Sequence, residues 1–228
     1  CQSAAGTNPH DRTNRSSAFS EGCITSSNNT PAHARMSATV TTGAGYVGKA
    51  INCVGVLNIS GGSLTAAGAN FQIGQYGQGT VNQSGGVFTV GQWPSVGRFA
   101  TGVGTLNVSG GTFAQTNATT DLMVPEEGTA MLNVSGTGIV SLAGRLRMGN
   151  GGTAPNGTVN LDGGTIVTRG VWTAVPGVGF SSFYFNGGIL QAAAGAYSDF
   201  MSGLSIAYVA PGGARIDTAG NDITIAQD

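Results

Sequence analysis

From residue 55 onward, apolar residues come in short bursts separated by glycine and serine clusters, with no helical spacing of three and four. Within one unit the bursts are Val81 with its neighbours, then Val87 to Val90, and a closing stretch of the type Phe71-Gln-Ile73-Gly74. Each is long enough for a strand of about four to five residues, and three such strands with three turns use up roughly 25 residues. The same unit then returns. It reads Gly55-Val-Leu-Asn58-Ile-Ser-Gly-Gly62, Gly79-Thr-Val-Asn82-Gln-Ser-Gly-Gly86 and Gly104-Thr-Leu-Asn107-Val-Ser-Gly-Gly111. It decays through Ala130-Met-Leu-Asn133-Val-Ser-Gly136, Gly157-Thr-Val-Asn160-Leu-Asp-Gly-Gly164 and Phe183-Tyr-Phe-Asn186-Gly-Gly188.

Successive Asn residues of this series lie 24, 25, 26, 27 and 26 positions apart. A unit of that size cannot bury its own apolar face and must stack on its neighbours. The period predicts an all-β fold, a parallel β-helix (β-solenoid) of about seven three-sided coils of about 25 residues. A propeller blade needs about 40 residues, and a leucine-rich horseshoe needs several leucines per unit. At about 4.8 Å per coil the rod is roughly 34 Å long.

The repeat assigns roles to its own residues. Gly61, Gly62, Gly85, Gly86, Gly110, Gly111, Gly163, Gly164, Gly187 and Gly188 are expected at corners, where a left-handed backbone costs glycine nothing. Asn58, Asn82, Asn107, Asn133, Asn160 and Asn186 are expected to form a ladder of stacked amides that satisfies buried polar groups. Four of them, Asn58, Asn82, Asn107 and Asn133, also read as Asn-x-Ser glycosylation sequons. The ladder is preferred, because the Asn persists at Asn160 and Asn186 where no sequon survives.

Outside the repeat, residues 1–32 are polar and lack periodic apolar positions, which suits an N-terminal cap or an extension that joins subunits. The solenoid domain is assigned to 33–228, with 33–54 as a degenerate first coil echoed in Ala38-Thr-Val40 and Tyr46-Val-Gly48. The three cysteines, Cys1, Cys23 and Cys53, form no metal-ligand pattern. Of the three possible disulfides, Cys1 with Cys23 is favoured; Cys1 also fits the acylated first residue of a bacterial lipoprotein, a reading ranked below a disulfide or an arbitrary start.

Composition sharpens the class. The chain of 228 residues holds 40 glycines and only 8% charged residues, with a net charge of −1. No long-range field would draw nucleic acid or an anionic membrane, and no apolar run is long enough for a membrane span. No cofactor motif appears, and glycine phrases such as Gly102-Val-Gly104 precede no helix that would cradle phosphate. The two histidines, His10 and His33, fall before the repeats.

Phe185-Asn-Gly-Gly188, Leu204 to Val209 and Gly212-Gly-Ala-Arg-Ile-Asp-Thr-Ala-Gly-Asn-Asp-Ile-Thr-Ile-Ala-Gln227 resemble the autotransporter-associated β-strand repeats of bacterial surface proteins. The resemblance implies a passenger-like, right-handed parallel β-helix, exported and displayed at the surface, and brings no catalytic residues with it. The chain has no autotransporter-type membrane barrel of its own.

Two functional expectations follow. The first is an extracellular or cell-surface structural and adhesive rod, not an enzyme, that self-associates end to end into a filament. The second is a β-helix that binds or cleaves glycans. It would use Trp93, Trp172 or Tyr184 beside acidic residues, with Glu126 or Glu127 brought near Asp162 and Arg145 or Arg169. Ice binding through threonine ladders is disfavoured, since Thr39, Thr41 and Thr42 do not recur as a pattern.

Overall fold

The computed structural model describes residues 22–24, 32–36, 39–152 and 154–227, the first two of these segments as backbone only. The chain is an all-β solenoid of parallel strands. Each coil contributes one strand to a short sheet and, to a second sheet, either one longer, bent strand, as in the four central coils, or the two strands into which it divides at the bend. Among the described residues the short sheet has 9 strands and the long sheet 12. Because the long strands bend in the middle, the cross-section has three sides.

The bend follows from sequence. In Gln78–Val90 the buried positions alternate through Gly79, Val81 and Gln83, and the alternation restarts at Phe88 and Val90. Between the two runs lies Ser84-Gly-Gly86, where the pairing with Val103–Gln115 shifts register. The next coil inserts one more residue here, and its register shift falls between Gly136 and Ile139. That insertion accounts for the longest step of the repeat, 27 residues from Asn133 to Asn160.

Glycine serves this corner in two different ways. Gly62, Gly86, Gly111, Gly163, Gly164 and Gly187 have positive φ, as the corner assignment requires. Gly61, Gly85, Gly110 and Gly188 do not, which corrects their assignment as left-handed corners. Gly85 is needed for space instead, since a Cβ there would sit 2.6 Å from the Ser60 carbonyl of the coil below. At Gly61 nothing lies within 4 Å.

Inward residues make one continuous core. Phe88 and Phe113 stack edge to face down one inward column at 5.1 Å between centroids, and Phe71 of the short sheet meets Phe88 edge to face across the core at 4.7 Å, a favourable aromatic geometry. Val140, Ile166 and Leu190 continue that column with no exposure. Two buried polar residues pin the corner that leads into the short sheet. Gln115 Nε2 donates to Thr120 O at 3.0 Å while its Oε1 accepts from Gly144 N at 3.0 Å. Thr168 Oγ1 donates to Gly170 O at 2.9 Å and accepts from Leu146 N at 3.1 Å.

The degenerate first coil is present as strands Ala32–Met36, Thr39–Thr41 and Gly45–Val47. A strand at Gly22–Ile24 pairs in parallel with Gly45–Val47, so a rung of the short sheet lies inside the segment assigned to a cap. The remainder of that segment, with Cys1 and His10, falls outside the described residues, and so does the Cys1–Cys23 pairing. Cys53 is a half-buried free thiol. Among the described residues no helix is long and apolar enough to cross a membrane.

Candidate functional site

Three features stand out from the regular coil: an amide ladder, a charged flank and an uncovered end. The ladder is built by register. Asn58, Asn82, Asn107, Asn133 and Asn160 are paired rung to rung on the outer face of the long sheet. Each amide donates to the one below it. Asn82 Nδ2 reaches Asn58 Oδ1 at 2.9 Å, Asn107 reaches Asn82 at 2.7 Å, Asn133 reaches Asn107 at 2.6 Å and Asn160 reaches Asn133 at 2.7 Å. The five are half-buried and face outward, so the groups they satisfy are their own rather than those of the core.

Asn186 is not a rung of this ladder. The register sets Tyr184 against Asn160, so Asn186 falls two positions further along its strand. There its Nδ2 donates to Asp162 Oδ1 at 2.9 Å and its Oδ1 accepts from Gly212 N at 3.0 Å. The aromatic continuation is Tyr184 against Tyr208, with centroids 5.9 Å apart.

The charged flank is the short sheet with its adjoining turns. Between Asn58 and Asn186 every charged residue except Asp162 lies there, leaving both outer faces of the long sheet almost free of charge. Glu126 is buried against Ser95, whose hydroxyl donates to it at 3.1 Å, and against Arg98, whose Nε is 3.6 Å away. Burial pushes the Glu126 carboxyl above its usual range, and Arg98 and the Ser95 hydroxyl hold back part of that rise. Burial likewise lowers the Arg147 guanidinium, opposed by Asp121.

One coil on, Arg145 pairs with Asp121 at 3.5 Å and lies over the Trp172 ring, 3.9 Å from its centroid. Arg147 approaches the same ring at 4.8 Å. Tyr197 is met by Arg145 at 4.8 Å and Arg169 at 4.9 Å. Guanidinium and aromatic groups thus alternate along the flank, an arrangement with cation–π attraction at each step.

No family model, curated protein or solved structure matches the chain. Its function is therefore argued from its own geometry.

The constellation anticipated for glycan cleavage is not assembled. Asp162 stands at the bend of the long sheet with Asn186, Glu126 is engaged by Ser95 and Arg98, and Arg145 is engaged by Asp121. The three aromatics are also dispersed. Trp93 is half-buried in the turn before Pro94–Val96, Tyr184 is on the long sheet, and Trp172 is on the short sheet. No group of three His, Cys, Asp or Glu able to hold a metal occurs among the described residues.

Sequence reading missed Arg98, Arg147, Tyr197, Asp199 and Ser202. Short-sheet strands such as Leu122–Met123 and Leu146–Arg147 are too brief for a recognisable phrase. The available signal was negative: apart from Asp162, charge is absent from the repeated phrases and collects in the stretches between them.

The third feature is the last coil, Ile206–Val209, Arg215–Asp217 and Thr224–Ala226. Val209, Ile216 and Ile225 pair with Phe185, Leu190 and Met201 of the coil beneath. Those partners are 3%, 0% and 1% exposed, whereas Val209, Ile216 and Ile225 are 55%, 38% and 39% exposed.

Proposed function

We propose that this chain is a structural and adhesive rod of the cell exterior that lengthens by stacking end to end on further copies of itself. The coil-to-coil register is the observation that carries this reading: described coils pair in parallel with their neighbours side by side, so a coil of another copy can be added in the same way. The last described coil offers Val209, Ile216 and Ile225, counterparts of the buried Phe185, Leu190 and Met201, to such a contact along its strand edge. Such an edge is a template for another parallel strand. A surface of matching three-sided outline, with strands in the same sense, is the other end of the same solenoid.

At that other end, strand Thr39–Thr41 is the last of its row among the described residues, and Val40 is half-buried where its partner Leu64 is buried. A head-to-tail contact that does not close on itself produces a filament. The low charge of the long sheet and the resemblance of the C-terminal segment to autotransporter-associated repeats support a surface-displayed, structural role.

Electron microscopy and sedimentation of the 228-residue chain test the reading. The single rod, with its nine-stranded short sheet, is about 40 Å long at the usual strand spacing. The native chain is expected to form particles in multiples of that length, and Ile216→Asp is expected to return them to single rods. Single rods for the native chain at high concentration overturn the proposal.

A further inference from the structure

One column of the short sheet reads, rung by rung, Gln72, Ser95, Met123, Arg147, Trp172 and Ser202, the first three buried and the last three partly exposed. Its largest member is thus followed by a serine. A hydroxymethyl group does not cover an indole, and a shallow cleft of about 150 Å³ opens there, lined by Arg145, Trp172, Tyr197, Asp199 and Ser202 among others.

The cleft is stiff and chemically mixed. Trp172 is held from the coil below by the Arg145 and Arg147 guanidinium groups at 3.9 and 4.8 Å. Arg169 braces Tyr197 while its Nε donates to Gly195 O at 2.7 Å. Asp199 is oriented by Ser202, whose hydroxyl donates to its Oδ2 at 2.8 Å.

From these groups we infer that the cleft binds a single uncharged hexopyranose ring of a glycan. Its volume is well below the roughly 300–1,000 Å³ of sites for drug-sized molecules, so one ring is the size that fits. A pyranose offers a C–H face that packs on an aromatic ring and a rim of hydroxyls that donate and accept at once. The Asp199 carboxylate accepts from such hydroxyls, and Arg145 donates to them. A uronate or sulfated sugar would set its own anion against Asp199. The cleft lies on the flank, one coil short of the uncovered end, so its occupancy is independent of end-to-end stacking.

Fluorescence titration tests the inference, since Trp93 and Trp172 are the two tryptophans and Trp93→Phe leaves emission to Trp172 alone. Neutral gluco-, manno-, galacto- and chito-oligosaccharides are added to millimolar concentration, with oligogalacturonate in parallel. At least one neutral series is expected to shift the emission saturably, and oligogalacturonate is not. Ser202→Tyr, which fills the cleft without removing Trp172, is expected to abolish the shift, and Asp199→Asn to weaken binding about tenfold, the loss of one charge-assisted hydrogen bond. Ligand-observed saturation-transfer NMR on the native chain gives the same readout without any substitution. No response to any neutral sugar by either method, a response to oligogalacturonate alone, or binding that survives Ser202→Tyr overturns the inference.

Discussion

Removing one amide from the middle of the ladder should cost about twice what removing one from its end costs. Asn107 donates to Asn82 and accepts from Asn133, so Asn107→Ala deletes two hydrogen bonds, whereas Asn160→Ala deletes the one to Asn133. A net bond contributes roughly 0.5–1.5 kcal/mol, and half-exposed partners recover part of the loss from water. Asn107→Ala is therefore expected to cost about 1–2 kcal/mol and Asn160→Ala about half that. Asn107→Asp separates donor from acceptor. A carboxylate still accepts from Asn133 but has no proton for Asn82 Oδ1, so two oxygens face each other. Its folded pKa is then raised, and the penalty present at neutral pH is relieved as the pH falls and the acid regains a proton to donate. Solenoids unfold coil by coil, so the measurement is native-state hydrogen exchange of Val103–Gln115 and its two neighbouring strands rather than one global transition. Equal costs for Asn107→Ala and Asn160→Ala, or an Asn107→Asp variant that is more stable at neutral than at acid pH, would refute the reasoning.

Two further outcomes follow from the coil geometry. Gly111 has φ of 73° and an added Cβ would lie 2.3 Å from Gly86 O, so Gly111→Ala should destabilise by about 2 kcal/mol or more; Gly61→Ala, with open space and ordinary φ, should stay within about 0.5 kcal/mol, both read by thermal unfolding. The folded state holds the Glu126 proton more tightly than the unfolded chain does, so stability contributed by the neutral acid is lost as pH rises from 4.5 upward. Glu126→Gln should flatten that decline in the melting temperature, and an unchanged slope would show that Glu126 does not set it.

The coil was legible because its determinants are local and repeated. A period near 25, a pair of glycines after each Ser, and alternation on either side of them suffice to place a bent strand, and the same register aligns five asparagines without further information. The sixth, Asn186, misled because it stands directly before Gly-Gly, in the place of Asp162, whereas the ladder asparagines stand two residues earlier in the phrase. Ile189 pairs with Thr165, which fixes the bend, but Phe185 is already opposite Leu161, so the Asn belongs to the corner and not to the sheet. Identity of a motif does not fix its register. What sets register is the inward row, here Phe183 and Phe185 over Val159 and Leu161.

The charged flank was not legible for a related reason. On the long sheet each coil repeats one requirement, a flat outer row over an apolar inner one, and repetition makes it visible. The short sheet has strands of two to four residues over most of its length, and the turns around it vary in length and content from coil to coil. Arg98 and Glu126, or Arg145 and Trp172, are one coil apart in space, yet no shared phrase announces the pairing. The repeat must keep its neutral faces to stack, so departures from it fall on the third side, where each coil is free to carry its own residue. A solenoid of this kind concentrates individuality on one flank, and Trp172 beneath Ser202 is the place where that individuality leaves a gap instead of filling one.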